Sequence, residues 1–134
     1  MKNSLRIKSE KWPEVTDKSH YIVELNYEGY SYSFDDIYFD DLKNIIFKLK
    51  TLEKERKGTV QLDGGFRFKV AIKSTAPGGI VLNFKVESGA EFPGKLTLEG
   101  HFPVEGGNTA IVIGRLVKLF SDGNEFFIQQ ALKY

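Results

Sequence analysis

Phe66, Phe68, Val70 and Ile72, and then Ile80, Leu82, Phe84 and Val86, place an apolar side chain at every second position, with Ala76-Pro77-Gly78-Gly79 between the two runs. A period of two fills one face of an extended strand and cannot fill one stripe of a helix. Proline presets φ and glycine reaches the left-handed region, so the intervening residues turn the chain. Strands joined this closely are antiparallel. Any fold for this chain must accommodate an antiparallel hairpin whose apolar groups all point one way.

The same alternation recurs before and after. Leu5 and Ile7 share a face in a short strand from Ser4 to Lys8, and Tyr21, Val23, Leu25 and Tyr27 do so in HYIVELNY. Glu28-Gly29 predicts a tight turn, after which Tyr30, Tyr32 and Phe34 alternate with Ser31 and Ser33. Thr59 to Leu62 leads into Asp63-Gly64-Gly65, another turn signal. Past a looser loop from Glu87 to Gly94, the residues Leu96, Leu98 and Phe102 give one more strand, with a bulge expected at Gly100.

Two segments have a helical period instead. Leu42, Ile45, Ile46, Leu49 and Leu52 line one helix face, with Asp40 or Asp41 as the expected N-cap and Gly58 as the expected stop. Lys48, Lys50, Lys54, Arg56 and Lys57 crowd the later turns, which suits the helix macrodipole. A second helix starts near Asn108, presents Ile113, Leu116, Val117 and Phe120, and stops near Asp122-Gly123. The tail EFFIQQALKY fits either a short helix or a strand. No repeat, linker or low-complexity tract divides the 134 residues, so residues 1–134 are expected to form one α+β domain. The expected core is a single antiparallel sheet of about six to seven strands with two amphipathic helices.

A net charge of +1 excludes a surface built throughout for nucleic acid or anionic lipid. The chain has no cysteine, which removes disulfides, thiolate nucleophiles and Cys-based metal sites. The opening MKNSLRIKSEKWPE lacks the apolar run of a secretory signal, and no segment approaches the roughly 20 apolar residues of a membrane span. A cytoplasmic protein with no membrane partner is the expectation.

Charge is local. No Lys or Arg stands between Lys18 and Lys43, whereas Glu24, Glu28, Asp35, Asp36, Asp40 and Asp41 all fall there among tyrosines. A structural reading sends Tyr30, Tyr32 and Phe34 to the core, Asp35 and Asp36 to a loop, and Asp40 and Asp41 to capping. A functional reading makes Glu28, Tyr30, Asp35, Asp36, Tyr38, Asp40 and Asp41 a contact surface for a basic protein. Tyrosine supplies contact area with a polar tip, and charge of one sign raises the encounter rate. The adjacent carboxylates do not follow the order of a calcium loop and point to opposite faces of a strand, so no metal site is expected.

The two histidines, His20 and His101, have no companion nucleophile motif, so no catalytic residue and no cofactor is assigned. Gly106-Gly107 is read as loop flexibility before a helix, since no phosphate-loop pattern surrounds it. A basic sheet face is the main rival feature. With Phe66, Phe68, Val70 and Ile72 inward, Arg67, Lys69 and Lys73 point outward, and Lys85 and Lys95 extend the stripe. It would suit nucleic acid, but single-strand binders add exposed aromatics for stacking, and here the aromatics alternate inward. A third class is a small-ligand or sugar-binding module in which Trp12 and exposed tyrosines stack on the ligand.

The order of elements resembles a known group. A hairpin, then DDLKNIIFKLKTLEKERKG, then FRFKVAIK with GGIVLNFKV, then LTLEGHFPVEGGNTAIVIGRLVKLF, is similar to WapI-like immunity proteins of bacterial polymorphic toxin systems, over about His20 to Phe120. The resemblance implies a non-enzymatic antitoxin whose partner is the C-terminal toxin domain of a cognate protein. It transfers no residue, and the chain is less acidic than that group commonly is.

Overall fold

The computed structural model describes residues 2–9, 20–65, 67–88 and 96–131. Along the chain run β1 (Lys2–Ser9), β2 (His20–Tyr27), β3 (Tyr30–Tyr38), α1 (Leu42–Glu55), β4 (Thr59–Asp63), β5 (Phe68–Thr75), β6 (Gly79–Ser88), β7 (Leu96–Val104), α2 (Thr109–Asp122) and β8 (Phe126–Ala131). The class is α+β, as the periodicities require. The strands number eight, however, and divide into two four-stranded antiparallel sheets ordered β3-β2-β1-β8 and β4-β5-β6-β7. Alternation reports which way side chains point and is silent on which strand neighbours which. The tail is a strand, pairing with β1 from Lys2↔Ala131 to Ile7↔Phe126.

With β8 placed ahead of β1, the two sheets have the same plan. Each is a four-strand meander followed by a 14-residue helix, and the two helices pack against each other. No sequence repeat accompanies this architectural one. A single core joins both halves: Leu5, Val23 and Leu25 from the first sheet, Val70, Ile72 and Leu82 from the second, and Leu49 and Leu116 from the helices.

Aromatic rings make the joints. Phe39, just past β3, meets Tyr21, Phe68 and Phe120 at centroid distances of 5.4, 6.3 and 5.7 Å. Tyr27, at the end of β2, stands edge-on to Phe84 at 4.8 Å and to Phe102 at 5.8 Å, and its hydroxyl accepts the His101 N–H at 3.3 Å. Gly100 is therefore not a bulge. Its pairing with Phe84 is in unbroken register, and a methyl group there would lie 2.5 Å from ring carbons of Tyr27 and Phe84. Its missing side chain makes room for Tyr27.

Helix α1 ends earlier than its glycine suggested. Arg56, with φ 56°, closes it by donating its N–H to Leu52 O, two residues ahead of Gly58. The guanidinium then donates from Nε to Glu53 O and from Nη1 to Gly78 O, and the buried Thr109 hydroxyl donates to that same Gly78 oxygen at 3.0 Å. The β5–β6 turn, which contains a cis Ala76–Pro77 peptide, is thus held to both helices. Asn108 occupies the N-cap position of α2 without a side-chain cap bond, after a single 3-10 turn over Gly106–Asn108. Trp12, Phe66, Lys95 and the loop 89–94 lie outside the described residues.

Candidate functional site

The acidic aromatic stretch forms the outer edge of the first sheet, because β3 pairs only with β2. The hairpin turn takes left-handed backbone at both central residues, Glu28 (φ 51°) and Gly29 (φ 85°), the twist that two-residue hairpins prefer. From it the register counts back evenly through Leu25↔Tyr32 to Val23↔Phe34, and then gains one residue on β3, giving Tyr21↔Ile37 and His20↔Tyr38. The extra residue is a β-bulge, with Asp36 at φ 57°.

This bulge decides which side chains reach solvent. An unbroken alternation past Phe34 would carry Asp36 inward and Ile37 outward. The inserted residue restores Ile37 and Phe39 to the core, both at 0 % exposure, and leaves Asp35 and Asp36 both exposed. Ile37 packs over the β4–β5 loop, where a methyl on Gly64 would come within 2.6 Å of its Cγ2. The aspartates therefore belong to a kinked edge strand, not to a loop.

Asp40 and Asp41 follow, also exposed. Asp41 stands at the N-cap position of α1, but its backbone is left-handed (φ 56°) and its side chain makes no cap bond. Only its carbonyl serves the helix, accepting from Asn44 N–H and Ile45 N–H at 3.1 Å. The carboxylate is left at the positive end of the helix dipole, facing solvent. Among the described residues Asp35, Asp40 and Asp41 form no ion pair. Asp36 meets His20, Oδ1 to Nδ1 at 2.7 Å, and the His20 ring lies 5.2 Å from that of Tyr38.

One end of β3 thus gathers Asp35, Asp36, Tyr38, Asp40 and Asp41, with His20 as a sixth member that the sequence reading did not include. Hairpin counting without the bulge would pair His20 with Ile37, so no sequence signal put it beside Asp36. Glu28 and Tyr30 stand at the other end, about 26 Å away at the usual strand rise. Tyr30 is 60 % exposed and follows the inward parity of Tyr32 and Phe34, whereas Tyr38 points to the opposite face. The Glu28 carboxylate is already engaged: Asn3 Nδ2 donates to Oε1, and the Glu28 N–H donates to Asn3 Oδ1.

The basic face lies on the outer side of the second sheet, where Lys69, Lys73 and Lys85 are exposed and Arg67 is half-buried. Register sets Lys69 opposite both Asp63 and Lys85, and Lys85 opposite Glu99. Carboxylates therefore interleave the lysines, and no Phe, Tyr or Trp stands among the described residues of this face. A concavity of about 450 Å³ there is lined by Gln61, Asn83 and His101 around Ala71. Comparison with protein-family models, with curated proteins and with solved structures finds no match to this chain.

Proposed function

We propose that this chain is a non-enzymatic binding protein that occludes a basic protein domain with the Asp-rich end of β3. One observation carries the reading: Asp35, Asp40 and Asp41 are exposed and without an ion pair among the described residues, beside the exposed ring of Tyr38. Carboxylates held this way keep their field for a partner, and a neighbouring tyrosine adds area that a cation-rich surface can bury. Combined with the resemblance to WapI-like immunity proteins, the reading makes the chain a cytoplasmic antitoxin and the partner its cognate toxin domain.

The test is co-production with a candidate toxin domain sought in the neighbouring reading frame. Reversing Asp35 and Asp40 to Lys, two positions without side-chain partners among the described residues, should slow association about tenfold or more at low salt and abolish protection. The thermal midpoint should stay within a degree or so, as expected for exposed sites. A double variant that protects as well as the parent removes this surface from the interface.

A further inference from the structure

The outward side of α1 carries a pattern that packing does not require. Lys43, Phe47, Lys50 and Lys54 follow one another at spacings of four, three and four, which puts them on one face of the helix. That face lies opposite the buried Ile45, Leu49 and Leu52. All four residues are exposed, and Phe47, at 69 % exposure, is the most exposed large apolar side chain among the described residues. The three lysines form no ion pair among the described residues. Glu53, beside this stripe, is half-buried and meets Arg56 at 3.7 Å.

Charge is ordered along the helix axis. Asp40 and Asp41 stand exposed at the N-terminal end, and Lys50 and Lys54 occupy the C-terminal half. Phe47 is midway between them: Asp40 precedes it by seven residues, and Lys54 follows it by seven, about 10 Å along the axis. An extended anionic surface, such as a nucleic acid or an anionic bilayer, would meet Asp40 and Asp41 within one turn of Lys43. A surface with the same signs in reverse order avoids that repulsion. The same helix of a second copy, turned antiparallel, is such a surface.

We infer that two copies of this chain pair antiparallel through α1, about a two-fold axis at Phe47. Phe47 then packs on its counterpart, and Lys54 of each copy lies level with Asp40 and Asp41 of the other. The same register sets Lys50 level with Asn44 and Lys43 level with Thr51, so no lysine opposes a lysine. Parallel pairing would set every lysine against itself. The two rings supply the apolar contact, and the ordered charges fix its direction. A 14-residue helix spans about 21 Å. A contact of that length is at the small end of specific interfaces, with a dissociation constant on the order of 100 μM. The pairing does not depend on the basic partner proposed above, but it shares Asp40 and Asp41 with the corner assigned to that partner. A partner that takes the corner therefore displaces the second copy.

The experiment is sedimentation equilibrium of the full chain alone, at concentrations on either side of about 100 μM. The chain should distribute between monomer and dimer, and the dimer should loosen about tenfold between low and molar salt. Phe47→Ser should weaken it about tenfold or more. Lys54→Asp should weaken it by a similar factor, and Lys54→Asp combined with Asp40→Lys in one chain should recover most of that loss, because each copy then meets the exchanged sign. These positions are exposed, so thermal midpoints should stay within a few degrees of the parent. A chain that remains monomeric, a dimer indifferent to Phe47→Ser, or an exchange that recovers nothing would overturn the inference. So would a monomer that binds phosphatidylserine vesicles or single-stranded DNA through Lys50. With no toxin domain in the cell, none of these outcomes decides whether the Asp-rich corner occludes one.

Discussion

Among the described residues four non-glycine residues have left-handed backbone, and three of them, Glu28, Asp36 and Asp41, are acidic residues of the β3 edge. Asp41 gives the cleanest test, because its side chain has no partner among the described residues. Left-handed backbone costs an L-residue about 1 kcal/mol, at the low end of its range for Asp. Glycine there would recover that cost, lose roughly 0.5–1 kcal/mol through the greater freedom of its unfolded chain, and forfeit about 0.5 kcal/mol from the carboxylate at the helix N-terminus. Asp41→Gly should therefore unfold within about 0.5 kcal/mol of the parent. Asp41→Ala also loses the carboxylate, and alanine pays nearer the upper end of the left-handed cost, about 2 kcal/mol, so it should fall about 1 kcal/mol below the glycine variant, roughly 4 °C in thermal midpoint. Urea titration of the three proteins measures the gap directly. In a binding assay the two variants should be equally impaired, since both lack the charge. If Asp41→Gly is destabilised as much as Asp41→Ala, the backbone argument fails. If it is stable and binds like the parent, the carboxylate does not contact the partner.

Two further outcomes concern the frame that holds this edge. Gly100→Ala forces a methyl against Tyr27 and Phe84 and should cost about 2–3 kcal/mol by overpacking; in a Tyr27→Ala background the same change should cost far less, as a double-mutant cycle will show. Gly78 O accepts from both Arg56 and Thr109, so Thr109→Val or Arg56→Met alone should each cost about 1 kcal/mol, and the pair more than their sum, because the second loss leaves the carbonyl without a side-chain donor.

Much of this frame was legible in the sequence because burial has a period. Ile80, Leu82, Phe84 and Val86 are inward as their spacing requires, and Ile45, Leu49 and Leu52 are the buried stripe of α1. The division into two sheets was not legible, since pairing between Leu5 and Ile128 depends on segments more than a hundred residues apart. The role of Gly100 was hidden for the same reason, its constraint coming from Tyr27 on another sheet. At the candidate site, the sequence put the aspartates and Tyr38 on one surface, but not the bulge that places them there or His20 among them. A single inserted residue changes the parity of everything after Phe34, and nothing in YSFDDIYF announces it.

The way three of the four edge strands are finished bears on how this protein can recognise a partner. Strand β7 ends the second sheet with its His101 N–H already given to the Tyr27 hydroxyl and with Pro103, which has no N–H, two residues further on. Strand β4 is five residues long. Neither offers a run of free backbone groups to an incoming strand. Strand β3 is long enough to do so, yet its bulge interrupts the ladder at Asp35-Asp36 and two left-handed aspartates turn the chain on either side of Tyr38. Strand addition needs several consecutive backbone pairs in register, which this edge does not supply past Phe34. What it supplies is a corner of exposed carboxylates about one aromatic ring, with buried Ile37 and Phe39 as its anchors. Recognition at this corner must therefore run through side chains and charge, with an on-rate that falls as salt rises. A partner captured with salt-independent kinetics would belong on another surface.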